Sequence, residues 1–323
     1  MPMTAITIGN FDGVHLGHQA LVARCRTHAG SHGRVLALAF DPHPNSLLNP
    51  SKSPVRLTTF EQRIRLLRAA GADEVIRLEP SQELLDLTPR QFFDRVIRVH
   101  DPRWVVEGDD FRFGKGRTGG IGTLASLGEE LGFNVDVVEP FTLALGDHLV
   151  VKASSTLVRW LLDGGRVNDA ALVLGRPYTL RGAVVRGDRR GRTIGFPTAN
   201  LAVENATPMD GVYAAAAVLP GGARFPCMLN VGTRPTFDGV ERRVEAHLIG
   251  APSEEDRLRG LPEYGWELSL ELVAWLRDQV RFSGVDRLIE QLSRDRERAR
   301  WHLRSLHHPV TSAAQHEQDT AHA

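Results

Sequence analysis

Through the first half of the chain, short apolar runs alternate with segments whose apolar residues recur every three or four positions. The runs at 5–9, 35–40, 74–78, 104–107 and 135–138 predict strands, and the segments 17–27, 59–70, 89–100 and 123–131 predict helices. Ile64, Leu67 and Ala70, for example, fall on one stripe at helical spacing. A βαβα order of this kind predicts an α/β domain, a doubly wound parallel sheet with ligands at the carboxyl ends of its strands. Two further helices, 155–162 and 167–174, are split by Gly164-Gly165 and close the domain. From Gly175 the texture changes: 181–187, 211–219, 224–231, 244–249 and 268–276 are strand-like runs between Gly- and Pro-rich turns. They predict an antiparallel β-barrel. A terminal helix follows, with Val285, Leu288, Ile289 and Leu292 on its apolar stripe. The expected organisation is a domain over 1–174, a second over 175–308 and a disordered tail over 309–323, which is polar and rich in His and Gln.

Composition narrows the partners. The 323 residues carry 39 Lys plus Arg against 39 Asp plus Glu, a balance that predicts no nucleic-acid or membrane partner. Any anion must then be recognised by local arginine clusters. Cys25 and Cys227 are too few and too far apart for a disulfide framework or a zinc site, which fits a reducing cytoplasm. There is no long apolar run and no leader-like start. The expectation is a soluble, unprocessed, cytoplasmic protein, a monomer or weak homo-oligomer.

The densest chemistry in the first half is Gly9-Asn10-Phe11-Asp12-Gly13-Val14-His15-Leu16-Gly17-His18, between the first predicted strand and the first predicted helix. His15 and His18 share a face of the first turn, and Gly17 lets a phosphate approach the backbone. The helix start adds free N–H groups and a positive dipole end. Together these suit a polyphosphate, although two histidines can also simply cap a helix or face solvent. No side chain here is a covalent nucleophile, so the implied chemistry is in-line transfer between two bound substrates. Phe40-Asp41-Pro42-His43-Pro44 ends the second strand, with two prolines expected to hold His43 in an extended loop. Gly108-Asp109-Asp110-Phe111-Arg112-Phe113-Gly114 follows another strand, and its two aromatics are expected in the core. In Ser154-Ser155-Thr156-Leu157-Val158-Arg159 the hydroxyls sit where they can cap a helix or donate to phosphate, with Arg159 one turn inside. Gly114-Lys115-Gly116-Arg117-Thr118-Gly119 spells the glycine pattern of a dinucleotide site, but residues 109–113 separate it from the strand. A basic loop over phosphates fits it better.

In the second half, Gly187, Gly191 and Gly195 enclose Arg189, Arg190 and Arg192, an anion-binding turn or else a basic surface hairpin. Phe196-Pro197-Thr198-Ala199-Asn200 follows, and Thr198 and Asn200 offer neutral oxygens suited to Mg²⁺. Asn230-Val231-Gly232-Thr233-Arg234-Pro235 precedes a strand on which Glu245 and His247 share a face. Transfer of a phosphoryl group to a hydroxyl needs such a carboxylate base, though an exposed strand glutamate is the plain alternative.

Taken in order, these motifs resemble the bacterial bifunctional riboflavin kinase/FAD synthetase family, over nearly the whole chain from Thr7 to about Leu306. Arg189 stands where the family commonly has Lys, and 251–261 is a charged insertion where the family turns tightly. The chain also starts closer to its first strand than the family usually does. The resemblance implies an N-terminal nucleotidylyltransferase domain, Rossmann-like and of HxGH type, and a C-terminal riboflavin kinase barrel. The barrel would phosphorylate riboflavin to FMN with Mg-ATP, and the first domain would join FMN to AMP from a second ATP, giving FAD and pyrophosphate. It implies Glu245 as the kinase base and Thr198 and Asn200 on Mg²⁺, with Gly187, Arg189, Gly191, Arg192, Gly195, Pro197, Asn230 and Arg234 on ATP or flavin. For adenylylation it implies His15 and His18 at the transferred phosphate and Gly9, Asn10, Gly17, Ser155, Thr156 and Arg159 on the ATP phosphates. His43, Asp110 and Arg112 fall on the flavin side. The alternatives are a riboflavin kinase with a different or inactive first domain, or a non-catalytic flavin-binding regulator.

Overall fold

A computed structural model describes residues 3–187, 189–236, 239–250 and 261–305. The expected disordered tail and nearly all of the charged insertion lie outside the described residues. Two compact units are present. One runs to Pro177 and includes Glu204–Thr207; the other comprises Tyr178–Val203 and the residues from Pro208 onward.

The first unit is a five-stranded parallel sheet of β1 (Thr4–Gly9), β2 (Arg34–Phe40), β3 (Glu74–Leu78), β4 (Trp104–Gly108) and β5 (Asn134–Val138), in the order β3-β2-β1-β4-β5. Ile6, Leu36, Leu38 and Val105 are fully buried, as expected for strands covered on both faces. The helix Leu16–Ala29 packs Val22 and Cys25 against one face, and Phe93, Ile97 and Leu124 fill the other. Phe60–Ala69 starts from a capping box formed by Thr59 and Gln62. The predicted helix 89–100 is helical but not uniform. It begins as Pro89–Phe92, widens to a π turn over Phe93–Ile97 and tightens over Arg98–His100. A small hairpin, β6 (Thr142–Ala144) with β7 (Val150–Lys152), leads into the helices Ser155–Asp163 and Val167–Leu174.

The strand order reverses at β1, and there the sheet opens. β1 pairs with β2 along six residues, Thr4 to Gly9, but with β4 only through Ala5–Trp104 and Ile6–Val105. Beyond that point the Ile8 N–H donates to the Glu107 carboxyl at 2.6 Å instead of to a strand carbonyl.

The second unit is a closed antiparallel barrel of β8 (Tyr178–Val185), β9 (Ala199–Val203), β10 (Gly211–Val218), β11 (Arg224–Thr236), β12 (Gly239–Leu248) and β13 (Glu267–Arg277), in the order β10-β11-β12-β9-β8-β13. β9 was not anticipated from the sequence, and neither was the four-residue helix Arg190–Thr193. The terminal helix Val285–Ser305 is held to β13 by an ion pair in which Arg277 Nε and a terminal nitrogen each lie 2.8 Å from the fully buried Asp295 carboxylate.

Candidate active sites

A large cavity lies among the described residues of each unit. In the first it lies at the carboxyl ends of β1 and β4, where the sheet opens, and measures about 990 Å³. The chain leaves β1 in an unusual conformation: Phe11, Gly13 and Val14 have φ of 48°, 81° and 43°. A β-branched residue such as Val14 rarely adopts a positive φ, so other groups must hold it there. Asp12 is one anchor. Its buried carboxylate accepts from the Leu57 and Thr58 N–H groups at 2.9–3.0 Å, from the Thr58 hydroxyl at 3.0 Å and from Arg159. Arg63, which the sequence reading missed, is another: it donates to the carbonyls of Asn10 at 2.8 Å and Phe40 at 2.7 Å and to Asp41 at 2.9 Å. It thereby ties the ends of β1 and β2 together.

This loop delivers His15 and His18 to the cavity with rings stacked 3.6 Å apart, and Phe11 meets His18 edge-on at 5.2 Å. Among the described residues neither Nδ1 has a hydrogen-bond partner, and nor has Asn10 Oδ1. Burial, assisted by the charge of Arg176, pushes His15 down to about 4, and burial beside His15 pushes His18 well below the usual range. Both imidazoles are therefore neutral near neutrality, and each offers one N–H donor. A ring nitrogen without a partner in a buried site is chemistry held ready for a ligand.

The remaining predicted residues sort by what they touch. Gly9 and Gly17 line the cavity, and a side chain on Gly17 would meet the His15 ring at 3.1 Å. Ser154 caps the helix Ser155–Asp163 by accepting from Leu157 N–H at 3.1 Å. The Ser155 hydroxyl donates to the Asp12 carbonyl at 2.7 Å, which leaves exposed Thr156 as the open hydroxyl of the motif. Arg159 lines the cavity but is tied to Asp12 and to the Val55 carbonyl, so it serves first as a strut. The loop around His43 is not extended as expected. Pro44 is already helical and opens the short helix Asn45–Leu48, because a proline suits a first helical turn. His43 Nδ1 accepts from the Asn45 N–H at 3.1 Å, which assigns the ring proton to Nε2. Asp110 is exposed and pairs with Lys152 at 3.3 Å; Arg112 is exposed against Gly120. Phe113 is buried in the core, as expected, with Phe111 stacked on it at 5.4 Å. Glu107, also missed, is 2 % exposed on the cavity wall, and burial pushes its carboxyl well above the usual range toward the neutral acid.

The cavity of the second unit measures about 720 Å³. Strand register builds its centre. Asn200 on β9 pairs with Glu245 on β12, and Glu245 pairs with Asn230 on β11. Directly opposed residues share a face, so the three side chains form one row across three strands, all on the cavity wall with Thr198 at its edge. Among the described residues none hydrogen-bonds the Glu245 carboxylate. His247, two residues on, is fixed by the Pro197 carbonyl at 2.8 Å. Asn230 Oδ1 accepts from Gln279 at 2.8 Å, a partner that sequence spacing did not suggest.

The glycines of the basic turn act by close approach. A Cβ on Gly191 would sit 2.1 Å from the Phe196 carbonyl, and Gly195 has a φ of 79°. Arg189 lines the cavity and donates to Tyr264 at 2.7 Å and Glu263 at 2.5 Å. Arg192 and Gly195 are exposed, Pro197 is half-buried, and none of the three lines the cavity. Arg234 lies on β11 opposite Glu241.

Comparison with known proteins finds two family models, one along each half of the chain. Residues 2–152 match the family model described as FAD synthetase, and residues 174–303 match the one described as riboflavin kinase. The bifunctional riboflavin kinase/FMN adenylyltransferase of Escherichia coli K12 is 36% identical over 298 residues, 91% of each chain. The protein of that name from Bacillus subtilis is 34% identical over 302 residues, 92% of this chain and 91% of its own. A crystal structure described as a macrolide-efflux protein from Streptococcus pneumoniae is similar over 93% of this chain and 95% of that one, with TM-score 0.80 and 30% identity. Among the described residues here no helix is long and apolar enough to cross a membrane.

Proposed function

Because the chain belongs to the bifunctional riboflavin kinase/FMN adenylyltransferase family, it phosphorylates riboflavin to FMN and adenylylates FMN to FAD, and we propose that each step runs in one of the two cavities. The observation that carries this reading is that each unit has its own cavity, lined by the motifs of one matched family. Residues 1–174 are assigned to adenylylation and 175–308 to the kinase.

In the barrel, the terminal ribityl hydroxyl of riboflavin attacks the γ-phosphate of ATP and gives its proton to Glu245, while the bond to the β-phosphate breaks and ADP leaves. The free carboxylate suits a base, and Asn200 and Asn230 on either side hold the row in register. Thr198 and Asn200 would hold Mg²⁺. Their neutral oxygens next to one carboxylate are a hard but incomplete donor set, which fits an ion that keeps most of its contacts for water and phosphate. That ion would supply charge neutralisation at the phosphates. Gly187, Gly191 and Arg189 shape the ATP side, with Arg192, Gly195, Pro197 and Arg234 supporting the turn and strand around it.

In the first unit, a phosphate oxygen of FMN attacks the α-phosphate of ATP and pyrophosphate leaves. His15 and His18, neutral and partnerless, donate N–H groups to the oxygens on which charge grows. Gly9, Asn10, Gly17, Ser155, Thr156 and Arg159 form the phosphate side, while His43, Asp110 and Arg112 face the flavin. Among the described residues no group of three or more His, Cys, Asp or Glu side chains is placed to hold a metal ion. The reading includes a cytoplasmic monomer or weak homo-oligomer, supported by two buried free thiols and balanced charge.

Separate feeding of the two substrates tests the assignment. Glu245→Gln should make no FMN from riboflavin yet still turn supplied FMN into FAD. His18→Ala should do the reverse, accumulating FMN. Loss of both activities in either variant, with the fold intact by circular dichroism, would sink the division of labour.

A further inference from the structure

The loop that carries His15 is held from behind as well as from the front. On the front, Thr58 Oγ1 accepts from the Gly13 N–H at 3.0 Å, and Asp12 fixes Thr58. On the back, Arg176 donates to the Gly13 carbonyl at 2.6 Å, the Val14 carbonyl at 3.1 Å and the Leu174 carbonyl at 3.1 Å. Gln19 adds a second donor to two of these three carbonyls, reaching Val14 and Leu174 at 2.9 Å each. Gly13 and Val14 are two of the left-handed residues of the loop, and His15 follows directly. Their carbonyls are thus turned away from the cavity and engaged by a guanidinium, while the imidazoles face the other way.

We propose that Arg176 is a positioning residue for adenylyl transfer: its guanidinium holds Gly13 and Val14 in their left-handed conformation and so aims His15 and His18 at the transferred phosphate. The proposal rests on the reading of His15 and His18 given above. Arginine suits the task because its planar fork serves several carbonyls at fixed angles, whereas a lysine would supply one compact charge with no fixed fork. Its position is informative too. It stands after the last helix of the first unit, where Gly175 makes a left-handed turn with its Cα side against Leu16 (an added Cβ would meet Leu16 at 2.7 Å). The charge of Arg176 also helps keep His15 neutral.

The test uses full-length Arg176→Ala, Arg176→Lys and His15→Ala proteins, with both activities measured on each. Arg176→Ala is expected to lose at least tenfold in kcat for FMN to FAD, while riboflavin to FMN stays within twofold of wild type. Arg176→Lys is expected to recover part of that loss, and millimolar methylguanidinium to raise the adenylylation rate of Arg176→Ala alone. Adenylylation unchanged in Arg176→Ala, or both activities falling together, would overturn the proposal. His15→Ala separates the two claims. Activity lost there but kept in Arg176→Ala overturns the clamp; activity kept there but lost in Arg176→Ala overturns the role of His15, and with it what the clamp is for.

Discussion

A β-carbon placed on Gly187 would lie 1.9 Å from the side-chain nitrogen of Asn200, so the bare backbone of the one makes room for the amide of the other. Asn200 heads the row that continues through Glu245, and its position in the barrel cavity depends on that missing methyl. Gly187→Ala should therefore displace Asn200. We expect riboflavin phosphorylation to fall at least tenfold and stability by about 1–3 kcal/mol, the usual cost of overpacking. Adenylylation of supplied FMN serves as the control and should hold. Equal loss of both activities in a folded variant would refute this account.

The neutral histidines make the first unit sensitive to acid. His15 is held at about 4 against 6.5 for a free imidazole, so the unfolded chain binds a proton across that range before the folded one does. Stability from this group is complete above pH 6.5 and is lost as pH falls toward 4, on the order of 3 kcal/mol. His15→Gln should flatten that part of the curve. Urea midpoints of wild type and variant between these pH values check it; parallel curves would rule it out.

Glu107 predicts the opposite slope. Burial raises its carboxyl above the 4.5 of a free glutamate, so the stability it brings is complete below that pH and drains away as pH rises. Glu107→Gln keeps an acceptor for the Ile8 N–H and cannot ionise. It should gain stability over wild type as pH climbs from 5 to 9 while adenylylation stays within threefold. A tenfold loss of adenylylation would mean that the carboxylate works in its charged form.

Asp12 and Arg159 predict a coupled pair. Asp12→Ala leaves Arg159 without its counter-charge and Leu57 and Thr58 without their acceptor. The expected cost is about 3–5 kcal/mol by urea denaturation, with adenylylation abolished. Asp12→Ala with Arg159→Met should recover part of the stability and none of the activity. A double variant no more stable than the single would show that the charge is not what matters.

Much of this protein could be read before its structure was seen. Strand Glu74–Leu78 and helix Val167–Leu174 fall where the apolar pattern put them: Val75 packs on one face of the sheet and Ile76 and Leu78 on the other, while the helix buries Val167, Ala170, Val173 and Leu174. The strand β9 escaped, since Ala199–Val203 is short and follows a proline, and its extended form comes from pairing with β8 and β12 on either side. The π turn at Phe93–Ile97 escaped for a related reason: it seats Phe93 and Ile97 in a core that local spacing does not describe.

The motifs too were legible as motifs. His15, His18, Thr198, Asn200 and Glu245 stand at strand ends or on one strand face, where spacing alone can bring them to a site. What the sequence could not decide was which residues hold them there. Arg63, Glu107, Arg176 and Gln279 act through hydrogen bonds to carbonyls, amides and carboxyls far along the chain. Nor could it decide that Arg159 would be occupied by Asp12, or that two histidines would be stripped of charge. Periodicity reports that a residue is buried; only the closed fold decides beside what, and desolvation and hydrogen bonding then set the chemistry.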